Sequence, residues 1–406
     1  HLFWPWFEKA RAARLDIDMA DAAWLNEGVL DMLRAGDDFR IAYQAAFRYH
    51  SFPRVPELRV PTAIIAREDD LNHPDLAKLP EPLPERVFKL AVPREREAWA
   101  AEMLRIYSEL PPGDVPPPAP PVRRRGGAGL ITREYADTPY GQLLVRRLGP
   151  DATPAGGAGL PLLMLHASPG SARQLEPLQR ALAAAGRETL ALDTLGNGES
   201  DKAPWRDPRI EDYAGAVVAA LDALGLARVD VYGSHTGAAI AVELALAAPG
   251  RVGRLVLDGA PLFTPEERDA ALAHYTPALE PRQDGTHLLQ AWNFLKDGIH
   301  FFPWFDKRAE AALPMPPLSA ADLNTWCVDM LLSGETYPKA YRAAFRHPLR
   351  ERLPLVEAPV LVCSTAADPL ASSSEQAAGL VRDGRWAPLP PEAGRQAAII
   401  AEFLAP

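Results

Sequence analysis

The segment of this chain best placed to do chemistry is Gly233-Ser234-His235-Thr236-Gly237. An apolar run, Val229 to Tyr232, precedes it, and a small-residue run, Ala238 to Ala245, follows. It therefore reads as a sharp turn from a strand into a helix. Glycines on both sides permit a corner tight enough to present the central side chain above the sheet. That side chain is the imidazole of His235, where corners of this kind carry a hydroxyl nucleophile. An imidazole so placed can serve as a general base if a carboxylate orients it and favours its charged form. Asp368, in Ser364-Thr365-Ala366-Ala367-Asp368-Pro369 after the apolar run Pro359 to Cys363, is the carboxylate the pattern offers. An aspartate that only caps a turn would read the same way.

From Leu130 onward the signals alternate between strand and helix, which predicts an α/β architecture: a mostly parallel sheet with helices on both faces. Ile131 to Tyr135 and Gln142 to Arg147 read as an antiparallel entry ribbon, and Leu160 to Leu165 as an apolar strand running into His166-Ala167-Ser168-Pro169-Gly170. A helix to about Ala185 and a strand from Glu188 to Leu192 lead into Asp193 to Lys202. Between about 261 and 350 the strands give way to helices rich in aromatics, among them Trp292, Trp304 and Trp326.

The chain also repeats itself. His1 to Lys9 resembles Ile299 to Lys307, and the same offset of about 298 positions relates Asp31-Met32-Leu33 to Asp329-Met330-Leu331 and Ala45-Ala46-Phe47-Arg48 to Ala343-Ala344-Phe345-Arg346. Arg54, Pro56, Pro61 and Asp70 fall on Arg352, Pro354, Pro359 and Asp368. Residues 1–110 are expected to be the C-terminal part of a first unit, truncated at its N-terminus or docked as an appendage. Residues 129–406 are expected to be a complete second unit. The stretch 111–128, rich in proline, reads as an extended linker, with a proline-recognition ligand as the alternative.

Four segments of the second unit carry a family resemblance. His166 to Gly170 resembles the HGxPG loop of the α/β-hydrolase superfamily, and Asp193 to Lys202 its DxxGxGxSDKP segment. Gly233 to Gly237 resembles its nucleophile elbow, and Arg251 to Ala260 the strand after it. The resemblance covers about residues 129–406 and implies an α/β-hydrolase fold with a helical cap over residues 261–350. It also implies that Asp368 stands at the family's acid position, with Asp70 as its counterpart upstream. Backbone donors at Ala167 or Ser168 and at Thr236 would form an oxyanion hole, and Trp292, His300, Trp304 and Trp326 would line the space under the cap.

The family's histidine should follow one more strand, yet no histidine occurs after His347. The corresponding loop reads Pro390-Pro391-Glu392-Ala393-Gly394-Arg395, and its upstream counterpart reads Val92-Pro93-Arg94-Glu95-Arg96. Ser234 sits one residue off the corner, so an ordinary serine mechanism is not expected. The favoured reading is a His235–Asp368 site acting on a small apolar carbonyl or ester-like molecule. The alternatives are a retired ligand-binding or scaffolding module, with Arg395 neutralising Asp368, and an ordinary hydrolase whose motifs lie elsewhere. His166 reads as structural, and His347 as a core or surface residue of the cap region.

Composition narrows the partners. A formal net charge of −10 is wrong for neutralising phosphates, and the one basic run, Arg123 to Arg125, falls in the linker, so no nucleic-acid role is expected. No stretch is long and apolar enough to span a bilayer. Two cysteines, Cys327 and Cys363, are too few for a disulfide framework and suggest a cytoplasmic interior, with an upstream targeting signal left open. No cofactor or metal is expected, contact between the two units is, and the oligomeric state is left open.

Overall fold

Unit by unit, the computed structural model describes residues 10–15, 19–109, 129–150 and 159–405. The chain divides into residues 1–122 and 123–406. The proline-rich linker, the Arg123 to Arg125 run and the His1 to Lys9 match lie outside the described residues.

The first unit contains helices α1 (Ala22–Ala35), α2 (Phe39–Arg48) and α3 (Arg96–Glu109) and strands β1 (Thr62–Arg67) and β2 (Val87–Val92). The two strands pair in parallel, and Val55, Leu79 and Val87 form a small buried cluster beside them. Asp70 follows β1, and its carboxylate accepts the backbone N–H of Asn72 at 2.7 Å.

The second unit is built on eight strands: β3 (Thr132–Thr138), β4 (Gly141–Leu148), β5 (Leu162–Leu165), β6 (Thr189–Leu192), β7 (Val229–Ser234), β8 (Val252–Asp258), β9 (Val360–Thr365) and β10 (Gly384–Leu389). They form one sheet in the order β10-β9-β8-β7-β5-β6-β4-β3. β3 and β4 are the antiparallel ribbon, β4 joins β6 antiparallel, and every other pair is parallel. All four residues of β5 and of β6 are buried, as continuous apolar strands covered on both faces must be.

The helices of this unit are α4 (Glu176–Ala184), α5 (Ile210–Ala223), α6 (Thr236–Ala247), α7 (Pro265–His274), α8 (Thr286–His300), α9 (Ala320–Ser333), α10 (Tyr337–Arg346), α11 (Leu349–Arg352), α12 (Ala371–Ala378) and α13 (Ala393–Phe403). One face of the sheet packs against α5 and α6, with Val231, Leu255 and Val362 facing Val217, Ile240 and Leu244 in one core. The opposite face carries α4 and α13, where Met164, Val256 and Leu361 meet Leu182 and Ile400. α6 is apolar apart from Thr236 and Glu243 and is buried from Thr236 to Ala245, the expected state for a helix without a polar stripe. Helices α7 to α10 interrupt the sheet between β8 and β9 and form the cap.

Elements recur at the offset seen in the sequence. α1, α2 and β1 begin 298 positions before α9, α10 and β9 and match them in length. Beyond β1 the offset changes by one residue at β2 and β10.

Candidate active site

The turn after β7 is as sharp as its glycines suggest. His235 has φ 49° and ψ −109°, the one positive-φ residue other than glycine among the described residues. Side chains rarely tolerate that region, so the surrounding structure must hold it there. Its N–H donates to the carbonyl of Asp258 at 2.9 Å, and its carbonyl accepts from Ala238 at 2.9 Å, which anchors the corner on both sides. Gly237 permits the close approach of α6 to β5: a Cβ there would lie 2.3 Å from the carbonyl oxygen of Leu165.

The imidazole meets the carboxylate that follows β9. His235 Nε2 lies 2.7 Å from Asp368 Oδ2, although 133 residues separate them. The other oxygen of Asp368 accepts the N–H of Leu370 at 2.7 Å, which fixes the carboxylate plane. An ionised carboxylate can only accept, so Nε2 carries the proton of the neutral ring, and Nδ1 is the nitrogen that gains or loses the second one. Gly259 makes room for the pair: a Cβ at its φ of +70° would sit 2.4 Å from His235 Cδ2 and 3.2 Å from Asp368 Oδ2.

Burial works against the charged imidazole, but the neighbouring charge and hydrogen bond of Asp368 outweigh it and raise the pKa of His235 above its ordinary value. Burial likewise pushes the Asp368 carboxyl up, and the opposing charge and hydrogen bond of His235 bring it below its usual value. Both directions favour the charged pair. Beside them Asp258, half-buried, is pushed up to about 6 by desolvation while its carboxylate accepts the hydroxyl of Tyr232 at 2.6 Å. That second pair escaped sequence reasoning. The only signal for it is the β7–β8 register, which sets Ser234 opposite Asp258.

The His235 side chain remains 32% exposed, and it opens into a cavity of about 520 Å³. Ala167, Ser168 and Thr236 line that cavity beside it. The backbone N–H groups of these three residues donate to no acceptor among the described residues, and Thr236 is the first residue of α6, where helix N–H groups point outward unpaired. The roof is aromatic: Tyr275 has ring contacts of 5.1–6.4 Å with Phe294, Phe302, Tyr341 and Phe345, all lining residues. Among the residues that line the cavity there is no Arg, Lys, Asp or Glu.

Residues 161–291 match the family described as the alpha/beta hydrolase fold. The second unit has the α/β-hydrolase fold. Among curated relatives, a 2-hydroxy-6-oxononadienedioate/2-hydroxy-6-oxononatrienedioate hydrolase of Pseudomonas putida is 43% identical over 105 residues, 24% of this chain and 35% of the relative. A haloalkane dehalogenase of Mycolicibacterium paratuberculosis is 33% identical over 133 residues, 30% of this chain and 43% of the relative. The chain thus spans about a third of the length of the curated relatives it matches first. Of solved structures, epoxide hydrolase A from Mycobacterium thermoresistibile superposes with a TM-score of 0.51 at 21% identity, covering 68% of this chain and 98% of its own, and shows the shared fold.

The remaining expected site residues fall as follows. Trp304 and Trp326 line the cavity, whereas Trp292 and His300 do not. α8 presents Phe294, Leu295, Gly298 and Ile299 to it, the one-turn spacing of a single helix face, and Trp292 and His300 fall outside that stripe. Arg395 does not reach Asp368. It is exposed and pairs with Glu392 at 3.4 Å, one turn away at the start of α13. Where the family would place its histidine, the cavity is lined by Pro391, Ala393 and Gln396. Ser234 reaches the cavity, but the His235 imidazole is paired with Asp368 and no hydrogen bond joins it to Ser234 among the described residues. His166 is buried: its Nε2 accepts the N–H of Thr194 at 3.1 Å, and its Nδ1 donates to the carbonyl of Ala167 at 2.8 Å. Both ring nitrogens are therefore spent on holding the loop that carries Ala167 and Ser168.

Both cysteines are buried and free. No helix among the described residues is long and apolar enough to cross a membrane.

Proposed function

We propose that the second unit uses His235 as a general base, oriented by Asp368, on a small, neutral, largely apolar carbonyl or ester-like compound. The 2.7 Å contact between His235 and Asp368 at the edge of an apolar cavity carries this reading. With Nε2–H directed at Asp368, Nδ1 takes a proton from water, which then attacks the carbonyl, or from the carbon beside it. Negative charge developing on the carbonyl oxygen is met by the N–H of Thr236 and those of Ala167 and Ser168, donors already ordered before reaction. His166 contributes by holding that loop, not by touching the substrate.

The cavity lining favours a neutral substrate. The relatives named for a dienedioate act on a dicarboxylate, and a carboxylate brought into this cavity would find no arginine or lysine among the lining residues, and the one imidazole there is already paired with Asp368. Such an unpaired charge is strongly disfavoured away from water. A second reading, a module that binds but does not react, draws support from Pro391, Ala393 and Gln396 at the family's histidine position. For the first unit, the recurrence of α1, α2 and β1 supports the inference that it derives from the C-terminal part of a second α/β-hydrolase unit.

The test is a panel of neutral esters, ketones and lactones assayed for hydrolysis and for deuterium exchange beside the carbonyl, with the wild type, His235→Ala and Asp368→Asn. Activity that falls about 100-fold or more in His235→Ala, without fluorophosphonate labelling, supports the base. Labelling at Ser234 overturns it, and ligand-induced thermal stabilisation without turnover favours the binding module.

A further inference from the structure

Glu243 is the one charged residue of α6, and its side chain is buried. Arg352, at the end of α11, donates from Nε to Oε1 at 2.6 Å and from Nη2 to Oε2 at 2.8 Å, a fork that occupies one edge of the carboxylate. From another side, Nε2 of His347 faces Oε1 at 3.3 Å. That approach is not a hydrogen bond: the His347 side chain is 2% exposed and its Nε2 has no hydrogen-bond partner. Buried ring nitrogens left in that state are rare and call for an occupant. Glu211 on α5 completes the group, for the ligand-capable atoms of Glu211, Glu243 and His347 all lie within 4.8 Å of one another. A separate cleft of about 360 Å³, lined in part by Asp207, Glu211 and His347, leads to it from solvent.

We propose that Glu211, Glu243 and His347 form a binding site for a divalent transition-metal ion of the zinc type. Bonds of about 2.0–2.1 Å in a tetrahedral shell set neighbouring ligand atoms about 3.3–3.4 Å apart, and the Nε2 to Oε1 separation of 3.3 Å is such an edge. One imidazole with two carboxylates is a donor set such ions accept. Glu211 is only half-buried, and a rotation of its side chain brings its oxygen the remaining distance, while water from the cleft fills the fourth position. Arg352 behind Glu243, and Arg209, whose Nη2 lies 2.5 Å from Glu211 Oε1, then steady the ligating carboxylates from outside. The ion would join α5, the helix that starts at the elbow, and the chain leaving the cap after α10. This site is distinct from the cavity at His235 and stands whether or not that cavity is catalytic.

The test uses the full chain freed of metal with EDTA and then titrated with zinc sulfate by calorimetry, with cobalt(II) as an absorbance probe. One ion per chain is expected, with His347→Gln and Glu211→Gln each weakening binding by about tenfold or more. Zinc at about 100 times its Kd is expected to raise the melting temperature by about 5–10 °C, an increase lost in His347→Gln. His287→Gln, which alters a histidine outside the group, should bind as the wild type does. The proposal is overturned if the wild type binds zinc no more tightly than His347→Gln. It is overturned equally if zinc leaves the melting temperature unchanged and nitrogen NMR of the metal-free protein finds the His347 Nε2 carrying a proton at pH 7.

Discussion

Replacing Asp368 by Asn removes a negative charge while keeping an oxygen where Nε2–H of His235 now points. A hydrogen bond to a charged partner contributes about 1.5–3 kcal/mol, against about 0.5–1.5 for a neutral one. The imidazolium loses that difference, and because His235 is a third open to solvent the lower part of the range applies. At fixed pH the ratio of imidazolium to imidazole should therefore fall roughly tenfold, since 1.4 kcal/mol corresponds to one decade. The measurement is a carbon and nitrogen NMR titration of the His235 ring in wild type and Asp368→Asn, which needs no substrate. The same spectra report the tautomer, expected to be Nε2–H in the wild type. A ring that titrates identically in both proteins, or that carries its neutral proton on Nδ1, would refute the orientation argued for the pair.

Three further outcomes follow from the geometry. Gly259→Ala places a methyl within 2.4–2.5 Å of the His235 ring at a φ of +70°; a loss of about 1–3 kcal/mol in urea unfolding is expected, together with a shifted His235 resonance. The stability supplied by the His235–Asp368 pair has a pH window whose sign is set by both shifts. His235, raised in the folded state, contributes fully below its unfolded pKa near 6.5 and loses that contribution as pH rises through its folded value; Asp368, lowered, contributes above about 3.9 and loses it as pH falls. The unfolding free-energy gap between wild type and His235→Gln should thus be larger at pH 5.5 than at pH 8.5. Arg395→Ala should change stability by less than about 0.5 kcal/mol and leave the His235 titration where it was, because Arg395 is exposed and pairs only with Glu392.

What could be read from the sequence was local, and what could not was a matter of packing between distant segments. Gly233 and Gly237 flank His235 closely enough that the corner and its central side chain are evident from spacing alone. Asp368 was found the same way, as the acid just past an apolar strand. The cavity face of α8 was not: two aromatics and two histidines share that helix, and only the angle at which it lies over the sheet decides that Phe294 points inward and Trp292 and His300 do not. Arg395 looked like a partner for Asp368 because it stands at the end of the right loop, but α13 starts at Ala393 and turns it toward Glu392. The Tyr232–Asp258 pair needs the β7–β8 register, and the meeting of Glu243 with His347 needs the cap to return across α6. Neither leaves a mark in spacing along the chain.

The backbone at residue 235 is held by bonds that involve none of its side-chain atoms: an amide hydrogen given to Asp258 and a carbonyl shared with Ala238. The torsions of the corner are thereby uncoupled from the reagent mounted on it. A chain with this feature can change which functional group faces the substrate by a single codon, keeping the sheet, the flanking glycines and the facing carboxylate, and the kind of reaction can diverge while the architecture stays constant.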